Sequence, residues 1–135
     1  VVKDIKSMYD EAGISFDFLH TGGDEVPNGA WAKSPECAAF MQTQTEIENP
    51  RHLQAYFFKR MSGILKKYNL TLGGWEEVVL KKDSTGRATI NTEFVNQNVI
   101  PYVWDNTGDN VDLGNRIANA GYKVILCNVK NLYFD

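Results

Sequence analysis

The sequence has no long apolar run, no clustered basic stretch and very little cysteine. No apolar run approaches the ~20 residues that a membrane-spanning helix needs, so we predict no membrane partner. Acidic and basic residues are mixed and the formal net charge is −3, which argues against nucleic acid as a partner. The two cysteines, Cys37 and Cys127, have no metal-ligand spacing, and we expect both to be free, buried thiols.

What the chain does contain is typical of a packed globular domain. Of its 135 residues, 43% are hydrophobic and 23% are charged, which is the ordinary composition of such domains. The length corresponds to about one domain. The chain starts without methionine inside a predicted helix and stops without a tail, so we expect it to be a segment of something longer.

Helical and extended patterns alternate along the sequence. The clearest helix follows Asn49-Pro50 and carries one apolar stripe, formed by Leu53, Tyr56, Phe57, Met61, Ile64, Leu65 and Tyr68. Predicted helices cover residues 1–12, 34–41, 50–68 and 111–120, and predicted strands cover residues 15–19, 70–74, 99–104 and 123–128. The last strand, KVILCN, has the composition of a strand buried on both faces. Residues 81–87 are predicted to form a polar loop.

This alternation predicts an α/β fold with parallel strands joined by crossover helices. Four such strands can belong to an open sheet or to part of a closed barrel. They cannot close a (β/α)8 barrel alone, because that fold needs eight strands and typically ~250 residues.

Carboxylates, aromatic rings and other polar groups follow every predicted strand. In chain order these sets are His20, Asp24 and Glu25; Trp75, Glu76 and Glu77; Trp104, Asp105 and Asn106; and Tyr133 and Asp135. Because parallel strands end at one face of an α/β fold, we expect the four sets to converge on one pocket. Aromatic rings together with carboxylates suit a sugar, which has apolar C–H faces and polar rims.

Each of these residues also has an ordinary structural interpretation. An Asp-Glu pair is usually solvated, and a tryptophan at a strand end usually packs against the core. His20 fits a buried, hydrogen-bonded histidine as well as a ligand or a base. The spacing of His20, Asp24 and Glu25 matches no strong metal signature, so we predict neither a metal nor another cofactor. Only the joint occurrence after successive strands favours function.

Four blocks of the sequence resemble one known family, the family 20 glycoside hydrolases, or β-N-acetylhexosaminidases. Residues 20–25, HTGGDE, resemble the family's His-x-Gly-Gly-Asp-Glu signature. Residues 74–78, 102–104 and 133–135 resemble three further family motifs in the same order. The resemblance covers the whole chain, residues 1–135, which it identifies as the C-terminal half of a catalytic (β/α)8 barrel, about strands 4 to 7. The first three strands and the eighth, which carry an arginine, a tryptophan and a glutamate of the family's sugar site, are not represented.

The resemblance implies hydrolysis of terminal β-linked N-acetylhexosamine with retention, in the intact parent enzyme. In this family the substrate's own acetamido oxygen attacks C1, so no enzyme carboxylate does. By the match, Glu25 is the general acid and later the base, and Asp24 orients the acetamido N–H. Gly22 and Gly23 would allow the turn that presents this pair. Tyr133 would donate a hydrogen bond to the acetamido carbonyl.

The remaining matched residues are implied to bind the sugar. Trp75 and Trp104 would wall the pocket for the acetamido methyl group and the ring, and Asp135 would accept hydrogen bonds from the outer hydroxyls. His20 would support the carboxylates. Glu76 and Glu77 stay open between a sugar contact at the rim and a solvated role.

Two other hypotheses remain. The chain could be a sugar-binding or inert half-barrel without turnover, or it could be part of a barrel hydrolase with the usual two-carboxylate mechanism. The adjacent Asp-Glu pair argues against the second hypothesis, because the two-carboxylate mechanism places its carboxyl groups ~5–9.5 Å apart. The expected partner is a carbohydrate substrate, and the two open edges of an incomplete barrel predict self-association. Family members are usually exported or lysosomal, which implies an exported parent.

Overall fold

A computed structural model describes residues 1–27, 29–83, 85 and 87–134 of the chain. Its six strands are β1 (Phe18–His20), β2 (Thr71–Trp75), β3 (Leu80–Lys82), β4 (Ala88–Ile90), β5 (Val99–Val103) and β6 (Ile125–Leu126). Four of them form one sheet in the order β1-β2-β5-β6, and every neighbouring pair in it is parallel. The predicted parallel sheet with strands in chain order is therefore confirmed.

The described residues also form five α-helices, the first of which precedes β1: α1 (Val2–Glu11), α2 (Pro35–Gln42), α3 (Leu53–Lys67), α4 (Leu113–Asn119) and α5 (Val129–Leu132). The start of α2 follows from its sequence, because the Ser34 side chain accepts a hydrogen bond from the Cys37 amide at 3.2 Å. A short 3-10 turn, Pro50–His52, precedes α3, and Asn49 accepts a hydrogen bond from the Arg51 amide there. No described helix has the length and apolarity that crossing a bilayer would require.

The core lies between the sheet and the helices α3 and α4. Phe58 and Leu65 of α3, Leu72 of β2, Val103 of β5 and Ile117 of α4 are all nearly inaccessible to solvent. The buried face of α3 therefore differs from the predicted apolar stripe, because it includes Phe58, which the stripe omitted. Much of the stripe instead lines an apolar cleft of about 680 Å³ between α2, α3 and the loop after β1, with Tyr56, Phe57, Met61 and Ile64 among its walls.

Two local predictions are wrong. Residues 81–87 are not all loop, because Lys81 and Lys82 pair antiparallel with Thr89 and Ala88 in a β3–β4 hairpin. Between the two strands, Asp83 accepts hydrogen bonds from the amides of Thr85 and Arg87.

The last strand is also not buried on both faces as predicted. β6 has only two residues, Ile125 and Leu126, and they are 39% and 51% exposed. It lies at the edge of the described sheet, where β5 is its one strand neighbour, so it has less cover than a central strand. Both cysteines are free thiols, as predicted, but each is only partly buried.

Candidate active site

The parallel sheet brings the carboxyl ends of four strands to one edge. Leu19 and His20 of β1 pair with Leu72 and Gly73 of β2, and Trp75 of β2 lies opposite Tyr102 of β5. The described residues that were predicted to form one pocket lie at these strand ends or after them in the sequence. Asp135, which was predicted to bind substrate, lies outside the described residues.

The turn after β1 presents Asp24 and Glu25 beyond the end of the strand. Backbone hydrogen bonds tie this turn to β2, from the Thr21 amide to the Gly73 carbonyl at 2.8 Å and from the Trp75 amide to the Gly22 carbonyl at 3.1 Å. Gly22 has a φ of 68°, a conformation that costs glycine little. The chain therefore leaves the strand at His20, and Asp24 and Glu25 are both exposed.

Gly23 is required for a steric reason as well. Its φ is 104°, and a Cβ atom added there would stand 2.3 Å from Cζ of Phe58, inside contact distance. The Gln54 side chain donates a hydrogen bond to the Gly23 carbonyl at 2.5 Å. Two residues of α3, Gln54 and Phe58, thus hold the backbone immediately before Asp24.

Glu25 has a left-handed backbone, with a φ of 52°. Such a conformation is uncommon for a residue with a Cβ atom, except for asparagine and aspartate. Strained conformations of this kind cluster at functional sites. The backbone at Glu25 is therefore compatible with a functional role for this turn.

Three aromatic rings form a cluster beside the turn. The His20 ring lies edge-on to Trp75 and Tyr102, with centroids 5.3 and 4.8 Å away. Its Nδ1 accepts a hydrogen bond from the Gly22 amide at 3.2 Å, so in the neutral ring Nε2 carries the proton. Burial lowers the pKa of His20, and the charge of Asp24 partly opposes this. Sequence reasoning assigned no role to Tyr102. Side chains alternate between the two faces of a strand, and this alternation along β5 could have placed Tyr102 on this face.

Glu76 is buried and joins two strand ends. Its side chain is only 2% exposed. One carboxylate oxygen accepts a hydrogen bond from the Trp104 amide at 3.0 Å, and the other accepts one from the Asp105 amide at 3.1 Å. The solvated role considered for Glu76 is wrong, because the carboxylate is enclosed and accepts hydrogen bonds from the backbone after β5. A sugar contact stays a prediction.

Glu77 differs from its neighbour in having a carboxylate oxygen that no described partner satisfies. Its Oε2 atom is buried and makes no hydrogen bond within the described residues. Burial, together with the charges of Glu76 and Asp24, raises its pKa to about 7, and Lys82 opposes the shift. The Glu77 side chain as a whole is partly buried, so the two roles considered for it stay predictions. Asp24 lies near enough to both His20 and Glu77 to affect their protonation.

The third and fourth strand ends are connected through Trp104. Its carbonyl accepts a hydrogen bond from the Val129 amide at 2.9 Å, where α5 begins. The Asn106 side chain accepts one from the Lys130 amide at 3.1 Å. Tyr133 follows α5 directly and is 41% exposed. The indole Nε1 of Trp104 is buried and finds no acceptor among the described residues.

These groups define what the site can do chemically. It offers two exposed carboxylates on one turn, a carboxyl group with a raised pKa beside them, and aromatic surfaces on two strand ends. Within the described ranges, no cluster of three or more His, Cys, Asp and Glu side chains has a geometry that could hold a metal ion. The arrangement fits proton transfer and charge stabilisation by carboxylates next to an apolar wall.

Comparison with known proteins gives consistent results. The family described as "Glycosyl hydrolase family 20, catalytic domain" matches residues 1–135. A beta-hexosaminidase of Vibrio vulnificus is 31% identical over 137 residues, which span 100% of this chain and 16% of that protein. A beta-hexosaminidase subunit beta of Entamoeba histolytica is 35% identical over 126 residues, spanning 90% of this chain and 20% of that protein.

Solved structures resemble the fold over nearly the same extent. The beta-N-acetylhexosaminidase of Bacteroides fragilis aligns with a TM-score of 0.59 and 25% identity, covering 92% of this chain and 23% of that one. A chitobiase of Flavobacterium johnsoniae aligns with a TM-score of 0.58 and 26% identity, covering 93% of this chain and 18% of that one.

Proposed function

Because this chain belongs to glycosyl hydrolase family 20, we propose that the full-length protein hydrolyses terminal β-linked N-acetylhexosamine from glycans. The chain spans only 16% and 20% of the two curated relatives described above, so the activity is proposed for the whole protein. The observation that carries the proposal is that the Asp24–Glu25 turn, Trp75 and Trp104 follow neighbouring strands at one edge of a parallel sheet.

The chain is proposed to be strands 4 to 7 of a (β/α)8 barrel, within the C-terminal half of the catalytic domain. Parallel strands that neighbour each other in chain order, with helices between them, support this placement. The functional groups follow the carboxyl ends of the strands, which is where barrel enzymes carry their active sites.

Substrate-assisted catalysis divides the work between two adjacent carboxyl groups. Glu25 gives its proton to the leaving oxygen and later takes one from water. Asp24 accepts a hydrogen bond from the acetamido N–H, while the acetamido oxygen attacks C1 and displaces the leaving group. Tyr133 donates a hydrogen bond to that carbonyl and places it for attack. The intermediate is an oxazolinium ion, and water then opens it with retention.

The other residues shape the sugar pocket. Trp75 and Trp104 form walls for the acetamido methyl group and the sugar ring, and Asp135 accepts hydrogen bonds from the outer hydroxyls. His20 packs against Trp75 and binds the Gly22 amide, which supports a role in holding the turn rather than in proton transfer.

Two substitutions in the full-length protein test this function. Glu25→Gln should reduce turnover of unactivated glycosides by about 10²–10⁴-fold and affect activated aryl glycosides far less, because an aryloxide needs little protonation to leave. Asp24→Asn should harm both substrates, since the acetamido group must attack in each. Glu48→Gln, on an exposed carboxylate, is the control. An Asp24→Asn enzyme with the wild-type rate on aryl glycosides would overturn the assignment.

The 135-residue chain alone is a different case. Ile125 and Leu126 at the sheet edge are substantially exposed, which supports the alternative that this segment by itself binds sugar weakly or is inert. Titration of the isolated chain with N-acetylglucosamine and with an aryl β-N-acetylglucosaminide distinguishes a binding segment from an inert one. Binding without product release supports a binding segment. Absence of both binding and product release supports an inert segment.

A further inference from the structure

The buried Glu76 carboxylate spans the gap between the ends of β2 and β5. Glu76 directly follows Trp75, and its two oxygens accept hydrogen bonds from Trp104 and Asp105, the first residues after β5. Trp75 itself lies opposite Tyr102 in the sheet. One side chain therefore connects the residue after one tryptophan to the backbone of the other.

This contact is costly to break. A carboxylate removed from water is stable only when hydrogen bonds satisfy it, and those that a charged group accepts are stronger than neutral ones. A glutamine of the same shape would present an amide donor to one of the two backbone N–H groups. The Glu76 pair of hydrogen bonds is therefore specific for a carboxylate and fixes the backbone at residues 104 and 105.

The loop beyond Trp104 is held from its other side too. Asp105 accepts hydrogen bonds from the Thr107 amide at 2.9 Å and from the Asn110 side chain at 2.6 Å. The Trp104 carbonyl accepts a hydrogen bond from the Val129 amide. Among these contacts, the Glu76 pair is the one that links the Trp104 backbone to the strand end that carries Trp75.

We propose that Glu76 is a positioning residue that sets the separation of Trp75 and Trp104 and thereby limits the size of the N-acyl group that the site accepts. The inference rests on the proposed function, in which these two rings enclose the acetamido methyl group. Glu76 touches no substrate in this account and acts only through the backbone of Trp104.

The test compares N-acyl selectivity in the full-length protein. kcat/KM is measured for aryl β-glucosaminides that carry N-acetyl or N-propionyl groups. A fitted apolar pocket discriminates one methylene by about 10–200-fold, so the wild type should prefer N-acetyl by a factor in that range. Glu76→Gln should lose most of this preference, chiefly through a higher KM for N-acetyl and a relative gain for N-propionyl. Glu48→Gln should keep it.

Each other outcome overturns the inference. If Glu76→Gln lowers kcat/KM for both substrates by the same factor, the residue is structural only. Glu76→Asp, which keeps two acceptors on a shorter side chain, serves as the second variant and should relax selectivity in the same direction. If neither variant folds, Glu76 supports stability alone. A wild type that turns over neither substrate would overturn the proposed function as well, whereas an active wild type with unchanged selectivity in Glu76→Gln overturns only this inference.

Discussion

Replacing Glu77 by glutamine should change how the stability of the protein depends on pH. Glu77 has a buried oxygen without a hydrogen-bond partner in the described structure. Burial raises its pKa from 4.5 to about 7, and the nearby charges of Glu76 and Asp24 add to the shift. Between these two pH values the folded state holds a proton that the unfolded state has released.

The sign of the effect follows from that difference. Because the folded state binds more protons, the free energy of unfolding falls as the pH rises from 4.5 to 7. At about 1.4 kcal/mol for each unit of pKa shift, one fully shielded group would contribute about 3 kcal/mol. Glu77 is not fully enclosed, and screening by solvent reduces the expected contribution to about 1–3 kcal/mol.

Glu77→Gln removes this dependence because an amide does not titrate. Equilibrium urea unfolding of the full-length protein, followed by tryptophan fluorescence at several pH values from 4 to 8, measures it. The variant should gain stability relative to the wild type as the pH rises through the interval, by about 1–3 kcal/mol at pH 8. Glu48→Gln, on an exposed carboxylate, should track the wild type. Parallel curves for the wild type and Glu77→Gln would refute the account of Glu77.

Three further predictions follow from the fold around the site. Gly23→Ala should destabilise the protein by about 1–3 kcal/mol more than Gly13→Ala does. Both glycines have a positive φ, but only a Cβ atom at residue 23 would stand against Phe58. Equal losses of stability in urea unfolding would contradict this. Asn106→Leu removes the hydrogen bond that Asn106 accepts from the Lys130 amide in α5, before Tyr133. At about 1 kcal/mol for that bond, kcat should fall about fivefold, and an unchanged kcat would contradict it. The isolated chain should self-associate through its open sheet edges, so a monomeric, cooperatively melting species in sedimentation and calorimetry would argue against the edge account.

The order and direction of the main strands could be predicted because they follow from local patterns. Alternating extended and helical segments leave few topologies, and short crossovers with one handedness lead to parallel neighbours. The turn at Gly22 and Gly23 was equally accessible, since adjacent glycines after a strand indicate a backbone that other residues adopt with difficulty. These features depend on residues close together in the sequence.

The features that sequence reasoning missed depend on contacts between distant residues. The apolar run of β6 is typical of a buried strand, but the position of Ile125 and Leu126 at the edge of the described sheet decides their exposure. Lys81 and Lys82 look like loop residues, and only their pairing with β4 makes them a strand. Burial of Glu76 needed knowledge of two amides that lie 28 and 29 residues further along the chain.

The contrast between Glu76 and Glu77 shows why residue type alone could not assign their roles. Both lie in a short 3-10 turn, Glu76–Val79, that begins as soon as β2 ends. Such a turn has three residues per revolution, so consecutive side chains point about 120° apart. One carboxyl group therefore reaches the amides after β5, while the other lies where Asp24 and Lys82 affect its pKa. Two identical residues thus acquire different chemistry from the geometry of the strand end.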